Sequence, residues 1–251
     1  MQVVSRPLFA AAIVLGCAQV VAAQTADEVV EKYLAAAGGR AALGKLTSRS
    51  TTGTMKLTTP GGEVSGTVEV LNQQPNKVRT LMKLDLTPLG AGPMEVDQRF
   101  DGTSAYAMDS MRGNRDITGS QLENMKSAVF PNPFMNYKEH GATVELGAKE
   151  QVNGRDAYVL VLKPKTGSIA RQFIDAETYL PVKLVTRVDV PDVGEVEQTS
   201  EFSDYREVDG VKLPFTIRVN SGGQAFTISV TKVEHNVKID EALFSKPPAA
   251  K

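Results

Sequence analysis

Residues 195–234 hold three long stretches in which polar and apolar side chains alternate, and this pattern constrains the fold most strongly. The apolar positions at spacing two include Val196, Phe202, Leu213, Phe215, Ile217, Val219, Phe226, Ile228 and Val230. A period of two over such lengths is typical of antiparallel strands buried on one face. Asp209-Gly210 joins two of the stretches and accepts positive φ in a short turn. The segment therefore predicts a meander of long hairpins.

The chain after residue 23 repeats this pattern at intervals of about ten residues. We predict a mainly β (α+β) fold with about 11 strands in a single large antiparallel curved sheet, which forms an incomplete β-barrel. Before residue 195, the predicted strands are 48–58, 63–72, 77–86, 94–100, 104–109, 143–152, 155–163, 168–176 and 182–190. Turns are expected at Pro60-Gly61-Gly62, Asp101-Gly102 and Asn153-Gly154.

Two helices are predicted beside the sheet. Thr25 and Glu28 have the spacing of a capping box, and the apolar face that follows ends at Gly38-Gly39. A second helix is expected over residues 118–130, with a capping box at Ser120 and Glu123. Its apolar stripe must be buried somewhere, and the concave face of the sheet is the nearest apolar surface. We therefore expect an N-terminal helix and a mid-chain helical lid on that face.

The first 23 residues have the composition of a secretory signal peptide. Residues 8–15 are wholly apolar, and Val21-Ala22-Ala23 supplies small residues before a cleavage point. We expect export to the periplasm and cleavage after Ala23, which leaves one domain over residues 24–251. In an alternative interpretation, residues 14–17 approximate a lipobox, and a lipidated Cys17 anchors the protein to the envelope.

Composition excludes several classes of function. The chain has 28 basic and 29 acidic side chains without a basic block, so we expect no nucleic-acid partner. Its one Cys lies in the signal segment, which leaves no thiol for a disulfide or a thiolate site. His140 and His235 stand alone, and no nucleophile-elbow or phosphate-loop motif occurs. We expect no enzyme, no catalytic residues, no metal and no cofactor.

Local sequences support a family resemblance. Residues 173–181 read FIDAETYLP, residues 202–206 read FSDYR, residues 209–214 read DGVKLP, and Ile239-Asp240 precedes Leu243-Phe244. Together with the order of elements, these segments resemble the LolA/LolB-type periplasmic lipoprotein carriers, a superfamily of outer-membrane lipoprotein-sorting-like proteins. The resemblance covers residues 25–247. Its motifs belong to turns and packing rather than to chemistry.

The resemblance implies an apolar concave face in which an acyl chain replaces part of the core. Methionine adapts to irregular apolar partners and suits such a cavity, although it equally suits packing between helix and sheet. The expected lipid-binding residues are Met55, Leu57, Val68, Val70, Met82, Leu84, Met94, Val96, Leu122, Met125, Phe202, Phe215, Ile217, Phe226 and Ile228.

Two further sites are suggested. The alternation in residues 168–176 is ambiguous, so either Arg171 or Gln172 faces the concavity, as a candidate for binding a lipid headgroup or as a side chain that reaches the rim. In LolB-like proteins a leucine protrudes from a loop and helps to transfer lipid to the membrane. Leu89, in an apolar Pro/Gly loop, would be its counterpart, unless it packs onto the end of the barrel.

The preferred hypothesis is a periplasmic carrier of lipid or lipoprotein acyl chains that takes part in outer-membrane biogenesis. It would be a monomer that contacts the membrane peripherally and exchanges cargo with a donor or acceptor protein of the envelope. The alternative hypothesis is a non-catalytic interaction module of the envelope with the same fold and a filled core. An open apolar cavity favours the carrier, and a packed interior favours the module.

Overall fold

The structure is a computed structural model that describes residues 24–59, 62–190 and 193–248. The expected signal segment 1–23, with Cys17, and the expected turn at Pro60-Gly61 lie outside the described residues.

Fourteen strands of the described chain form one antiparallel sheet. Their bounds are β1 Ser48–Thr59, β2 Gly62–Gln73, β3 Lys77–Asp85, β4 Pro93–Phe100, β5 Ala105–Asp109, β6 Arg115–Ile117, β7 Thr143–Leu146, β8 Glu150–Val152, β9 Arg155–Lys163, β10 Ala170–Asp175, β11 Pro181–Val190, β12 Gly194–Val208, β13 Val211–Ser221 and β14 Gln224–His235. The order is β6-β5-β4-β3-β2-β1-β14-β13-β12-β11-β10-β9-β7, and β8 also pairs with β9. The edge strands β6 and β7 are not paired with each other, so the sheet stays open.

Three α-helices accompany the described sheet. They are α1 Ala26–Ala36, α2 Gly39–Leu43 and α3 Gly119–Ser127, and short 3-10 helices cover Thr87–Leu89 and Glu241–Leu243. The capping box of α1 is present, since the Thr25 hydroxyl accepts from the Glu28 amide and the Glu28 carboxylate accepts from the Thr25 amide. Val29, Val30 and Leu34 of α1 are buried.

The predicted fold class is confirmed, and the structure refines its details. The strand count is 14 rather than about 11, because the short β6 escaped prediction and the expected strand 143–152 is divided into β7 and β8. The capping box predicted for α3 is wrong. The helix begins at Gly119 after Thr118, without a side-chain cap, and the Ser120 hydroxyl instead donates to Asp189 of β11 (3.3 Å).

Contacts of α3 require the sheet to curve. Leu122 and Met125 pack against a cluster that includes Phe100 of β4 and Ala105 of β5, while Asn124 donates to the Arg187 carbonyl of β11. In a flat sheet, the eight strand spacings from β5 to β11 would cover about 38 Å. A nine-residue helix is only about 14 Å long. The sheet therefore curls until α3 reaches both sides, as the sequence predicts for a lid.

The main core lies at one end of the curled sheet. There α1, α2 and the segment 130–137 pack on Leu160 and Leu162 of β9 and on Ile174 of β10. We call the face that carries these residues the inner face, and the opposite face the outer face. The β7–β9–β10 end is the packed end, and strands β1–β4 form the open end.

Candidate ligand-binding face

A continuous row of apolar side chains crosses the inner face from β12 to β4. Residues directly opposite each other on antiparallel strands point to the same face. The row consists of successive Cα partners: Phe202, Ile217, Ile228, Met55, Gly66, Leu84 and Met94. All of its side chains except buried Met55 are half-buried rather than enclosed. The row thus presents apolar surface that the described chain only partly covers.

Gly66 makes a gap in this row, and its neighbour fills the gap. A Cβ at position 66 would lie 2.0 Å from the Lys83 carbonyl oxygen and 2.8 Å from Leu84 Cδ2. Only glycine allows this approach, so the Leu84 side chain lies against the backbone of β2.

Other predicted lipid-binding residues lie on the same face. Val68, Met82 and Val96 are successive partners one step along the strands, and Leu57 pairs with Phe226. Val70 lies beside Val68 on the inner side of β2 and is half-buried. Strand parity therefore placed these residues together on one face.

Three other predicted lipid-binding residues, Phe215, Leu122 and Met125, do not belong to the half-buried row. Phe215 is buried, and the Arg206 guanidinium carbon lies 4.6 Å from its ring centroid. Leu122 and Met125 of α3 pack against Phe100, Ala105, Ala107 and Ile117. A charged substitution of Phe215 would therefore act mainly on folding.

The structure resolves the choice between Arg171 and Gln172. Gln172 pairs with Leu160 and Leu184 on the inner face, and its amide donates to the Lys183 carbonyl (3.0 Å). Arg171 lies on the outer face, where it is ion-paired with Glu150 and stacks on the Phe173 ring. The candidate role of Arg171 at the concave face is therefore wrong, because a one-residue step along a strand reverses the face.

A cavity of about 200 Å³ lies on the inner face beneath α1 and α2, next to Phe202. Its lining includes Tyr33, Asn132, Gln172, Tyr205 and the guanidinium-bearing Arg49. Sequence analysis missed Arg49. Strand parity alone indicates its position, because Arg49 has the same parity as Met55 and therefore interrupts the apolar pattern of the inner face.

A larger groove lies elsewhere on the sheet, and its lining does not suit an apolar ligand. This groove of about 730 Å³ is lined mostly by outer-face polar side chains, among them Lys56, Glu63, Glu197, Glu201 and Arg218. Such a charged surface is hydrated and offers little apolar contact. Glu197 lies in water there, as strand parity predicts.

Exposed apolar side chains lie in four of the loops that connect the strands. Leu89 lies between β3 and β4, Met111 between β5 and β6, Ile169 between β9 and β10, and Val193 between β11 and β12. Because the strands are antiparallel in the observed order, these four loops all lie at the same ends of the strands, away from α1 and α2. We call the surface formed by these four side chains the apolar rim. Leu89 is thus exposed rather than packed onto the barrel end.

Residues 24–59, 62–190 and 193–248 hold neither a metal-binding cluster nor a membrane-spanning helix. No group of three or more His, Cys, Asp or Glu side chains in these ranges is arranged to hold a metal ion. In the same part of the chain, no helix has the length and apolar character needed to cross a membrane.

Comparison with solved structures identifies the architecture. A LolA superfamily protein from Nitrosomonas europaea matches with a TM-score of 0.56 at 15% identity, covering 89% of this chain and 99% of that chain. A DUF1329 family protein from Desulfovibrio piger matches with a TM-score of 0.56 at 15% identity, covering 88% and 97%. A domain from Vibrio parahaemolyticus, named as an outer membrane lipoprotein-sorting protein, matches with a TM-score of 0.53 at 14% identity, covering 87% and 97%. At these identities the likeness concerns the fold.

Comparison of sequences adds a family. A search of curated protein sequences found no match. A family model with the description "Uncharacterized protein" matches residues 110–247, which is more than half of the chain. The chain therefore belongs to that family, and its fold is LolA-like.

Proposed function

We propose that this protein is a non-enzymatic carrier of lipid or lipoprotein acyl chains in the periplasm. The observation that carries the proposal is the half-buried apolar row from Phe202 to Met94 on the inner face of a LolA-like sheet. Removing an acyl chain from water onto such a surface stabilises the complex by about 0.8 kcal/mol per methylene. Binding of this kind needs positioning and apolar contact, not a reactive side chain.

Helix α3 would be the gate of this carrier. It has no buried residue of its own, and its links to the far side of the sheet are polar. The side-chain oxygen Oδ1 of Asn124 accepts from the Ser168 backbone amide (2.6 Å), and its side-chain nitrogen Nδ2 donates to the Arg187 backbone carbonyl (3.3 Å). The inner cavity of about 200 Å³ is smaller than the usual range of about 300–1,000 Å³ for small-molecule sites. The lining of that cavity holds no residue of α3, so in this proposal cargo reaches the inner face when the polar links of Asn124 open and α3 moves outward.

The apolar rim would be the edge that meets the membrane. Single exposed apolar residues are ordinary, but four of them on separate loops at one edge form a surface suited to a bilayer interface. In this proposal Leu89 acts with Met111, Ile169 and Val193. Flotation with phosphatidylcholine vesicles would test it: Leu89→Asp combined with Val193→Asp should reduce vesicle association, and unchanged association would remove the rim from the proposal.

Native mass spectrometry of the protein purified from a periplasmic extract tests the carrier proposal directly. We expect a mass increment that corresponds to a lipid or acylated peptide and that disappears after extraction with organic solvent. A preparation that is free of lipid, and that also fails to bind added acyl chains, would contradict the proposal.

A non-catalytic interaction module remains the second candidate, and one observation favours it. Met55, Val68 and Val96 of the inner face are buried by neighbouring side chains, and the inner cavity is small. In that case α3 would be a permanent part of the core. Acyl-chain binding that depends on the inner row would decide against the module.

A further inference from the structure

Arg49 is a partly buried cation for which the described residues supply no counterion. It lies on the inner side of β1, and its Nε is inaccessible to solvent and has no hydrogen-bond partner among the described residues. The residues that line the cavity beside it include no Asp or Glu. Arginine stays protonated in proteins, so the charge is not removed by loss of the proton.

Two other partly buried arginines of the open end are differently placed. Arg79 and Arg99 both bind the Asp97 carboxylate, at 2.8 and 2.9 Å, and Arg99 also donates to two backbone carbonyls. Among the residues that the structure describes, the partner of Arg49 is the Phe130 ring, with 5.3 Å between the guanidinium carbon and the ring centroid. A cation–π contact offsets part of the cost of burial but does not satisfy the N–H donors. Burial also lowers the pKa of Arg49 below its ordinary value.

More donors converge on the same cavity. The Tyr33 hydroxyl accepts from the Asn132 amide (2.7 Å), so its own proton is free to donate. Burial, moderated by the Asn132 hydrogen bond and by Arg49, raises the pKa of Tyr33, so the phenol is neutral and retains that proton. The cavity thus offers a guanidinium and a phenolic donor without a competing carboxylate, a combination suited to an oxyanion.

We propose that Arg49 binds the oxyanion of an acidic amphiphile, a carboxylate or a phosphate, whose acyl chain lies along the inner row. This inference rests on the proposed carrier function and adds the chemical class of its cargo. The cavity of about 200 Å³ accommodates a headgroup and its first methylenes, and Phe202 belongs both to the cavity lining and to the apolar row. The planar guanidinium can donate two parallel hydrogen bonds to carboxylate or phosphate oxygens.

Matched ligands test the proposal on the mature chain, residues 24–251. Calorimetric titration at pH 8 would compare dodecanoate with dodecanol, which have equal chain lengths and differ in charge. We expect wild type to bind dodecanoate at least tenfold more tightly, and Arg49→Met to lose that preference while binding dodecanol as before. Arg49→Lys should retain part of the preference, because it keeps the charge without the fork. Arg171→Met, on the outer face, should behave as wild type.

Each other outcome decides a separate point. Equal affinities of wild type for the two ligands, or an equal loss of both in a folded Arg49→Met protein, would overturn the oxyanion site and leave the carrier proposal intact. If Arg49→Met does not fold, the ratio measured with Arg49→Lys decides instead. If neither ligand binds wild type, the carrier proposal fails. A thermal shift by inorganic phosphate that needs Arg49 would then assign the site to a free anion, and no shift would reject it.

Discussion

The two faces of strands β1–β4 carry similar residues, but the described chain supplies partners for the charged groups of the outer face and fewer partners for those of the inner face. On the outer face, Asp97 lies between Arg79 and Arg99, and the C-terminal segment 237–248 closes over them. That segment is held by buried Phe244 and by ion pairs from Lys77 to Glu241 and from Lys246 to Asp116.

On the inner face of the same strands, the described chain supplies fewer partners. Leu84 and Met94 are half-buried, and Arg49 has no carboxylate. The cover on this side is α3, which has no buried residue of its own. The difference teaches that charge burial by itself does not mark a site in this protein. What distinguishes the inner face is that its apolar and cationic groups lack partners from the chain.

Asp97→Ala should give the largest effect, because it removes a buried carboxylate that binds two largely buried guanidinium groups. Breaking a buried ion pair on one side typically destabilises a protein by about 3 kcal/mol or more. We expect a loss of about that size in the free energy of unfolding, measured by urea denaturation. Glu95→Ala is the matched control, since the Glu95–Lys83 ion pair on the same face is exposed and should contribute less than about 1 kcal/mol. Equal losses from the two variants would remove the contrast between the faces.

The loss of stability at acid pH tests the same contrast between the two faces. Burial alone would raise the pKa of Asp97, but hydrogen bonds and charge from Arg79 and Arg99 outweigh it, and the pKa lies below its ordinary value. A carboxyl whose pKa is lower in the folded state stabilises the fold above its unfolded pKa of about 3.9, and this contribution is lost as pH falls through the folded pKa. The stability difference between wild type and Asp97→Asn should therefore be full at pH 6 and shrink below about pH 4. A difference that stays constant down to pH 2 would contradict the assignment.

These tests rest on residues that sequence reasoning reached unevenly. Period-two alternation predicted the strands and the shared face of Met55, Val68 and Leu84, because the side-chain period of a strand is a local property. It could not choose between Arg171 and Gln172, since both readings of β10 give a mixed pattern and only the pairing with β9 and β11 decides. Arg49 escaped because the absence of a counterion depends on the residues that the fold brings around it.

The missed cap of α3 has a related cause. Ser120 and Glu123 have the spacing of a capping box, yet the Ser120 hydroxyl binds Asp189 and Glu123 pairs with Lys126. A side chain from a distant strand and another from the same helix thus compete for the groups that a local motif would use. Local patterns therefore predicted the sheet more completely than they predicted its contacts with the lid.

Leu84→Glu should weaken ligand binding with a smaller effect on folding. Leu84 is half-buried in the inner row, so a carboxylate there retains access to water but opposes an acyl chain. We expect at least a tenfold loss in dodecanol affinity, which corresponds to about 1.4 kcal/mol. Glu197→Lys, on the exposed outer face, should change neither affinity nor stability. Unfolding caused by Glu197→Lys, with Leu84→Glu intact and fully active, would mean that the two faces have been assigned in reverse.

The smallest expected effect concerns the segments that cover the two faces. Helix α3, the inner cover, should open, and the C-terminal segment 237–248, the outer cover, should not. Helix α3 is joined to β11 and to the 164–169 loop by a few polar contacts, whereas Phe244 fixes the C-terminal segment by burial. Hydrogen exchange should show faster exchange for the amides of residues 122–129 than for the central strands, because local opening breaks little apolar contact. Dodecanoate should change exchange in α3 and leave the outer cover unchanged. If α3 stays as protected as β1 and β14 with and without ligand, the helix is a permanent part of the core and the gate is excluded.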